Sequence, residues 1–256
     1  LKKFRERTLG CYPYLILDAR YEKVRHLGTV RDLTVLIAIG VNDKGYREIM
    51  GVSVSLSEAE VHWRDFLKSF QKRGLTGVQL IVSDDHTGLK KAKRATFPSV
   101  PWQRCQFHMI QNSIHYAPKK AMREEIVLAM RSIFNAMDLE MAIAIKEHVI
   151  KKYARKAPEF VSWLENNIEE GLTVFAFPAE HRKRLRTTNA LERLNREIKR
   201  RTRVASLFPN SDSRLRLVTA ILQEKHEEWI TGRRYLRMEF LKLNSEPRKI
   251  YRRKVA

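Results

Sequence analysis

Cysteine and long apolar runs are both scarce in this sequence. Its 256 residues include two cysteines, Cys11 and Cys105, which are too few for the disulfide framework of a small secreted domain. No apolar run is long enough to span a bilayer, and the first residues, LKKFRERTLG, do not form a signal peptide. These absences favour a soluble, intracellular protein. Because the sequence begins without an initiator methionine, we also expect a further N-terminal region.

Acidic residues are outnumbered by basic ones. The chain has 50 Lys and Arg against 29 Asp and Glu, which gives a net charge of +21 and an isoelectric point near 10.2. Self-repulsion at this charge disfavours a compact fold unless an anion offsets it. Nucleic acid is the favoured partner, because a polyphosphate that binds many Lys and Arg side chains releases its counterions. An anionic membrane surface is the alternative.

Short apolar runs between turn signals predict an α/β fold. We predict strands at residues 14–18, 33–42, 47–55, 78–84 and 100–108. The second and third strands flank the turn sequence NDKG and therefore form a hairpin. Helical patterns separate the later strands, which predicts a mixed sheet with an antiparallel start and a parallel continuation.

The middle of the chain changes to a helical pattern. Residues 124–154 show helical periodicity and contain neither glycine nor proline. We therefore divide the chain into a first core part (1–109), an all-helical insertion (110–180), a second core part with a basic helix (181–240) and a basic C-terminal tail (241–256).

Two aspartates end predicted strands of this sheet. Asp18 closes the run YLILD, and Asp84 closes the run LIVSD. In open α/β sheets ligands bind at the carboxyl edge of the strands, so both side chains are candidates for a site there. Strand-end aspartates also serve as helix caps or turn formers, and that alternative stays open. Asp85 adjoins Asp84, so chemistry alone leaves the second position ambiguous.

A third carboxylate, Glu192, stands in the most basic stretch of the chain, TTNALERLNREIKRRTR. At 100° per residue, Leu191, Leu194 and Ile198 form one apolar stripe of the predicted helix. Glu192 points away from that stripe, on the side of Arg196. One interpretation is a surface charge paired with Arg196, since such i,i+4 pairs are common on helices.

The three carboxylates together favour metal-dependent chemistry on a phosphodiester. Hard divalent cations prefer carboxylate oxygens as ligands. Phosphodiester cleavage uses two such ions about 3.5–4 Å apart, one for the nucleophile and one for the leaving oxygen. Basic residues around the acids would then bind DNA phosphates. The candidates are Arg193, Arg196, Lys199, Arg200, Arg201 and Arg203.

Four stretches of the chain occur in a characteristic order. They are YLILDARYEKVR (14–25), IVSDDHTGLKKA (81–92), WQRCQFHMIQN (102–112) and TTNALERLNREIKRRTRVASLFPN (187–210). Together they resemble the mutator-type transposases of bacterial insertion sequences, and the resemblance covers nearly the whole chain.

This resemblance implies a ribonuclease-H-like core in which Asp18, Asp84 and Glu192 form a DDE triad that binds two Mg²⁺ or Mn²⁺ ions. It favours Asp84 over Asp85, which occupies a variable position of the motif. The implied function is a DNA transposase that cleaves at the terminal inverted repeats of an element and transfers the strands into target DNA. The implied protein is a homodimer or larger assembly in the bacterial cytoplasm, associated with the nucleoid and not with a membrane.

The sequence CQFH places Cys105 and His108 three residues apart. A zinc site needs two more ligands at suitable spacing, and His115 alone leaves that set incomplete. A core cysteine followed by a helix-start histidine is the second interpretation. The resembled family has a Cys-x-x-His signature close to its active site, which implies a supporting role for both residues. Asn189, beside Glu192 on the basic helix, is a further candidate for such support.

Two other functions fit the same residues. A metal-dependent nuclease of the same fold would cleave DNA without joining it, and it would need the same three acids. A non-catalytic DNA-binding protein derived from a transposase would use the basic surface alone, but the presence of all three acids argues against it.

Overall fold

The described residues of the computed structural model, 1–26, 29–55, 57–202 and 210–243, contain a five-stranded mixed sheet flanked by helices. The strands are β1 (Tyr14–His26), β2 (Thr29–Val41), β3 (Arg47–Ser55), β4 (Leu80–Ser83) and β5 (Trp102–Arg104). Their order in the sheet is β3-β2-β1-β4-β5. Antiparallel pairing joins β1 to β2 and β2 to β3, whereas β1 and β4 run parallel. The predicted antiparallel start and parallel continuation are therefore confirmed.

The described ranges also hold eleven α-helices. They are α1 (Lys2–Glu6), α2 (Glu60–Lys72), α3 (Thr87–Thr96), α4 (Gln106–Ser113), α5 (Arg123–Phe134), α6 (Leu139–Tyr153), α7 (Pro158–Asn167), α8 (Ala179–Leu185), α9 (Asn189–Thr202), α10 (Ser211–Thr231) and α11 (Glu239–Leu243). Short 3-10 turns lie at Ile114–Tyr116, Lys120–Met122, Ile168–Gly171 and Thr173–Ala176. Every element between β5 and α9 is thus helical, as the sequence pattern predicted. No helix in the described ranges is both long and apolar enough to cross a membrane.

The centre of the sheet is formed by apolar runs that are buried on both faces. The β1 residues from Tyr14 to Leu17 and the β2 residues from Val35 to Ile39 have no exposed surface. Continuous apolar sequence, rather than alternation, is what a strand covered on both faces requires. The two strands therefore provide a rigid support for residues at their ends.

The turn between β2 and β3 is fixed by one side chain and one glycine. The Asn42 side-chain oxygen accepts hydrogen bonds from the N–H groups of Lys44 and Tyr46, both at 3.0 Å. Gly45 has φ of +87°, in the left-handed region that glycine adopts without steric cost. This turn sets the register of the predicted hairpin.

Four of the five strands differ in length from the sequence prediction, and β1 and β5 differ most. β1 continues past Asp18 to His26, because its polar second half pairs with β2 as one arm of a hairpin. β5 is shorter than predicted and ends at Arg104. The N–H group of Gln106, two residues after Arg104, donates to the carbonyl of Arg186 at 2.9 Å. As a result, His108 lies on α4 and not at the end of a strand.

The chain divides into two compact units. One consists of Leu1–Pro101 and Thr188–Met238, and it contains β1 to β4 with α1 to α3, α9 and α10. The other consists of Trp102–Thr187 with the described residues 239–243, and it contains β5, α4 to α8 and α11. The four-part domain division made from the sequence stays a prediction. Most of its basic tail, residues 244–256, lies outside the described residues.

Candidate active site

Asp18 and Asp84 occupy equivalent positions on two neighbouring parallel strands. The paired register of β1 and β4 ends with Ile16 opposite Val82. Asp18 and Asp84 each stand two residues further along, and Asp84 is the first residue after β4. Neighbouring strands lie about 4.8 Å apart. The register therefore brings both aspartates to one edge of the sheet.

The Asp18 carboxylate is buried and held by two hydrogen bonds. It is only 7% exposed. Its Oδ1 accepts the N–H of Ala19 at 2.9 Å, and its Oδ2 accepts the side-chain amide of Asn195 at 2.7 Å. Each carboxylate oxygen has two acceptor sites, so a single hydrogen bond does not by itself prevent an oxygen from binding a cation.

The helix α9 packs on its unit through the predicted apolar stripe. Leu191, Leu194 and Ile198 are 0%, 3% and 0% exposed, which confirms the helical periodicity read from the sequence. Glu192 lies in the first turn of this helix and is half-buried. The Thr188 hydroxyl, just before the helix, donates to Glu192 Oε1 at 3.5 Å.

The glutamate helix contacts the strand that bears the first aspartate. Asn195 follows Glu192 on α9 by three positions, which places the two side chains about 60° apart around the helix and about one turn apart along it. Because the Asn195 amide donates to Asp18, Glu192 stands one helical turn from a residue in contact with that carboxylate. The structure thus brings α9 onto the edge where Asp18 and Asp84 lie.

A second β1 side chain holds the same helical residue. Arg20 lies on the same face of β1 as Asp18, and its Nη1 donates to the main-chain carbonyl of Asn195. Burial lowers the pKa of Arg20 to about 10, and the charge of Asp18 opposes that shift. On α10, Arg214 is 2% exposed, and burial together with the charge of Arg20 lowers its pKa to about 10. Arg20 thus interacts electrostatically with both Asp18 and Arg214.

A further acid, Glu58, lies near Asp84. It is 9% exposed, its Oε2 accepts the hydroxyl of Tyr21 at 3.1 Å, and its Oε1 lies 3.5 Å from Nδ1 of His86. Burial raises the pKa of Glu58, His86 opposes the rise, and the charge of Asp84 adds to it. The sequence interpretation missed Glu58, since it precedes a helix and belongs to no recognised motif.

Asp85, next to Asp84, forms an ion pair with a residue of α3. Its Oδ1 lies 2.8 Å from the ammonium nitrogen of Lys90 on α3. β4 ends at Ser83, so strand alternation does not apply to the two aspartates. The ion pair gives Asp85 a partner on the protein surface, which is the role expected of a residue outside the site.

Most of the basic residues predicted to bind DNA lie on the surface of α9. Arg193, Arg196, Lys199 and Arg200 are exposed. Arg203 lies outside the described residues. The exposed side chains share one helix with Glu192, so phosphates bound to them would lie near the candidate carboxylates.

Arg201 differs from this expectation because it is half-buried and ion-paired. Its guanidinium binds Glu197 at 2.7 Å and Glu224 at 2.9 Å. Glu197 also accepts from Arg200, and these hydrogen bonds lower the pKa of Glu197 to about 2. A role for Arg201 in binding DNA phosphate stays a prediction. The ion pairs had a signal in the sequence, since Glu197 precedes Arg200 and Arg201 by three and four positions.

The supporting residues predicted from the sequence lie on or next to the helices α4 and α9. Cys105 is fully buried immediately before α4, and His108 is half-buried on that helix with a ring nitrogen within 4.8 Å of the Cys105 sulfur. Both belong to the unit that begins at Trp102, whereas the three acids belong to the other. Asn189 is exposed at the start of α9. A supporting role for these three residues stays a prediction.

Comparison with known proteins finds relatives along most of the chain. The family model described as "Transposase, Mutator family" matches residues 1–232. The chain is 54% identical over 236 residues to the transposase for insertion sequence element IS406 of Burkholderia multivorans, and the match covers 92% of this chain and 61% of the relative. It is 44% identical over 243 residues to the transposase for ISRM5 of Rhizobium meliloti, and this match covers 94% of this chain and 61% of the relative.

A more distant relative shows the same coverage. The transposase for IS256 in transposon Tn4001 of Staphylococcus aureus is 36% identical over 234 residues, which covers 89% of this chain and 59% of the relative. The chain therefore spans about three fifths of the length of the curated relatives it matches.

Proposed function

Because the chain belongs to the Mutator family of transposases, we propose that it carries the catalytic core of an insertion-sequence transposase. In this proposal the mixed sheet is a ribonuclease-H-like core, and Asp18, Asp84 and Glu192 are its catalytic carboxylates. The observation that carries the proposal is the hydrogen bond from Asn195 to Asp18, because it joins the glutamate helix to the strand of the first acid. The names of the relatives, all transposases for insertion sequence elements, support the activity.

The donor set at this edge fits a hard divalent cation. It consists of carboxylate oxygens, the ligands that Mg²⁺ and Mn²⁺ prefer, and the first of them, Asp18, is held in a buried position by hydrogen bonds from Ala19 and Asn195. We propose that Asp18, Asp84 and Glu192 hold two such ions. When bound, the ions activate the attacking oxygen and stabilise the leaving oxygen of a phosphodiester.

The basic residues of α9 would hold and orient the DNA. Arg193, Arg196 and Lys199 are exposed on the helix that carries Glu192, and phosphate contacts of this kind fix position without reading sequence. Cleavage at an element end adds one water across a phosphodiester bond and frees a 3′-hydroxyl. In the joining step the oxygen of that hydroxyl attacks a target phosphate, and a target 3′-oxygen leaves. The proposed DNA partners are the terminal inverted repeats and the target, held by a dimer or larger assembly.

The test is a metal-dependent cleavage and strand-transfer assay with the full-length protein and terminal-repeat DNA. Asp18→Asn, Asp84→Asn and Glu192→Gln should each abolish both reactions while DNA binding persists. Asp85→Asn is the matched control, because it makes the same charge change one residue away. We expect it to stay active, since Asp85 pairs with Lys90. If Glu192→Gln cleaves and joins DNA at the parental rate, the assignment of the triad is wrong. If the parent protein binds DNA without cleaving it, the protein is a non-catalytic DNA-binding protein.

A further inference from the structure

Asn195 contacts the acid-bearing strand through both its side chain and its main chain. Its Nδ2 donates to Asp18 Oδ2 at 2.7 Å, and its carbonyl accepts from Arg20. Two β1 side chains on one face thus hold a single residue of α9. Asn195 lies in the fourth of the stretches that carry the family resemblance, but the sequence analysis assigned it no role.

The orientation of the Asn195 amide follows from its partner. A carboxylate can only accept hydrogen bonds, so the atom that faces Asp18 must be the nitrogen of the amide. The other end, Oδ1, is buried and accepts no hydrogen bond from any residue in the described ranges. Because both atoms belong to one amide group, Oδ1 lies beside the Asp18 carboxylate, and a buried acceptor in this position calls for an electropositive partner.

We propose that Asn195 is a further member of the metal site, in which Nδ2 orients Asp18 and Oδ1 enters the coordination shell of the divalent ion, directly or through one of its waters. The inference rests on the proposed function, since the ion is the one assigned to the three acids. An amide oxygen is a hard ligand of the kind that these cations accept. Asn195 is also only one helical turn from Glu192, so one helix would supply two oxygen donors to the same ion.

The alternative role for Asn195 is to fasten α9 to β1 without contact to the ion. The two roles differ in what a substitution does to metal binding. A fastening residue loses its hold on Asp18 whether Ala or Asp replaces it, so both substitutions weaken metal binding alike. A residue of the coordination shell is replaced in part by Asp, which keeps an oxygen donor. Loss of an outer partner of a metal ligand weakens affinity or activity by about 10- to 100-fold.

The experiment measures Mn²⁺ binding to the full-length protein without DNA, by electron paramagnetic resonance of the free ion. It compares the parent with Asn195→Ala, Asn195→Asp and the control Asn166→Ala, whose amide donates to the Ser162 carbonyl of its own helix at 2.8 Å. Asn195→Ala should raise the dissociation constant about 10- to 100-fold, and Asn166→Ala should leave it unchanged. Asn195→Asp keeps an oxygen in place, so it should bind Mn²⁺ more tightly than Asn195→Ala although it repels Asp18.

Two results would overturn the inference. One is parental Mn²⁺ affinity in Asn195→Ala; the other is an Asn195→Asp protein that binds no better than Asn195→Ala. If Asn195→Ala does not fold, the result for Asn195→Asp decides alone. In that case a Mn²⁺ affinity of Asn195→Asp at least equal to that of the parent supports the inference, and a more than tenfold loss of affinity refutes it. Asp18→Asn, measured in parallel, distinguishes the proposed metal site from the proposed role of Asn195. If Asp18→Asn binds Mn²⁺ with parental affinity, the metal site itself is refuted. If Asp18→Asn loses affinity but the Asn195 substitutions have no effect, only the role of Asn195 is refuted.

Discussion

Gly88 offers a direct test of how Asp84 is positioned. It lies in the first turn of α3, in the segment that follows Asp84, and it packs against the main chain that leads into α2. A Cβ atom added at Gly88 would lie 2.4 Å from the carbonyl oxygen of Glu58 and 3.0 Å from the nitrogen of Glu60. Since ordinary contacts begin at 3.4 Å, Gly88→Ala must separate the two segments by roughly 1 Å.

The size of the effect follows from the rigidity of these neighbours. Both are main-chain atoms, so neither can rotate away as a flexible side chain would. Overpacking of this kind costs about 1–3 kcal/mol, which corresponds to a fall in melting temperature of roughly 2–10 °C for a domain of this size. A displacement of about 1 Å at a reacting group can lower a rate about 100-fold. Gly88→Ala should therefore lose far more activity than stability, because the displaced segment carries Asp84.

The assay is single-turnover strand transfer at saturating Mg²⁺ and DNA, run below the measured melting temperature. Gly10→Ala is the matched control, since among the described residues no atom other than those of its chain neighbours lies within 4 Å of its added Cβ; it should keep parental rate and stability. A folded Gly88→Ala protein that joins strands at the parental rate would show that the contact between α2 and α3 does not position Asp84.

The acids, the basic helix and the buried glutamate lead to separate expectations. Asp84→Asn should abolish cleavage and joining while metal-free DNA binding persists or tightens, because a charge that repels phosphate is gone; Lys199→Ala should weaken binding but keep the rate at saturating DNA. Replacing both Arg193 and Arg196 with Ala should flatten the log–log salt dependence of DNA affinity by roughly two units, and an unchanged slope would contradict a phosphate role. Burial raises the pKa of Glu58, so ionising it costs stability at pH 7. At pH 7 in EDTA, Glu58→Gln should therefore raise the melting temperature. The gain should vanish below about pH 4.3, where the carboxyl is protonated in both folded and unfolded states. A gain in melting temperature that persists at low pH would rule out the titration of Glu58 as its source.

The parts of the fold that the sequence predicted are those set by local periodicity. The stripe of Leu191, Leu194 and Ile198 is buried as expected, because burial of one helical face leaves a 3.6-residue pattern that needs no knowledge of the partner. The hairpin of β2 and β3 was similarly evident, since two apolar runs flank a turn. The second half of β1 was missed because residues 19–26 are mostly polar and form a strand only through pairing with β2.

The polar contacts of the candidate site could not be predicted in this way. Asn195 and its partner Asp18 are 177 positions apart, and nothing in the helical pattern specifies which strand a polar residue beside the stripe will meet. Glu58 depends on Tyr21 and His86 from other elements in the same manner. Such contacts arise from the packing of distant segments, so they become visible only once the elements are assembled.

The candidate site combines two kinds of positional control. The paired strands β1 and β4 bring Asp18 and Asp84 to one edge of the sheet, and a shift of one residue in β1 would turn Asp18 to the opposite face. Glu192 is on a helix, and the apolar stripe of that helix sets its rotation but still allows it to slide along the sheet. The contacts of Asn195 with Asp18 and Arg20 oppose such sliding, because a shift of one residue moves the helix by about 1.5 Å and 100° and would break both. The bonds that place Glu192 are therefore the same bonds that restrain Asp18, so the two acids are positioned together and a change at Asn195 displaces both.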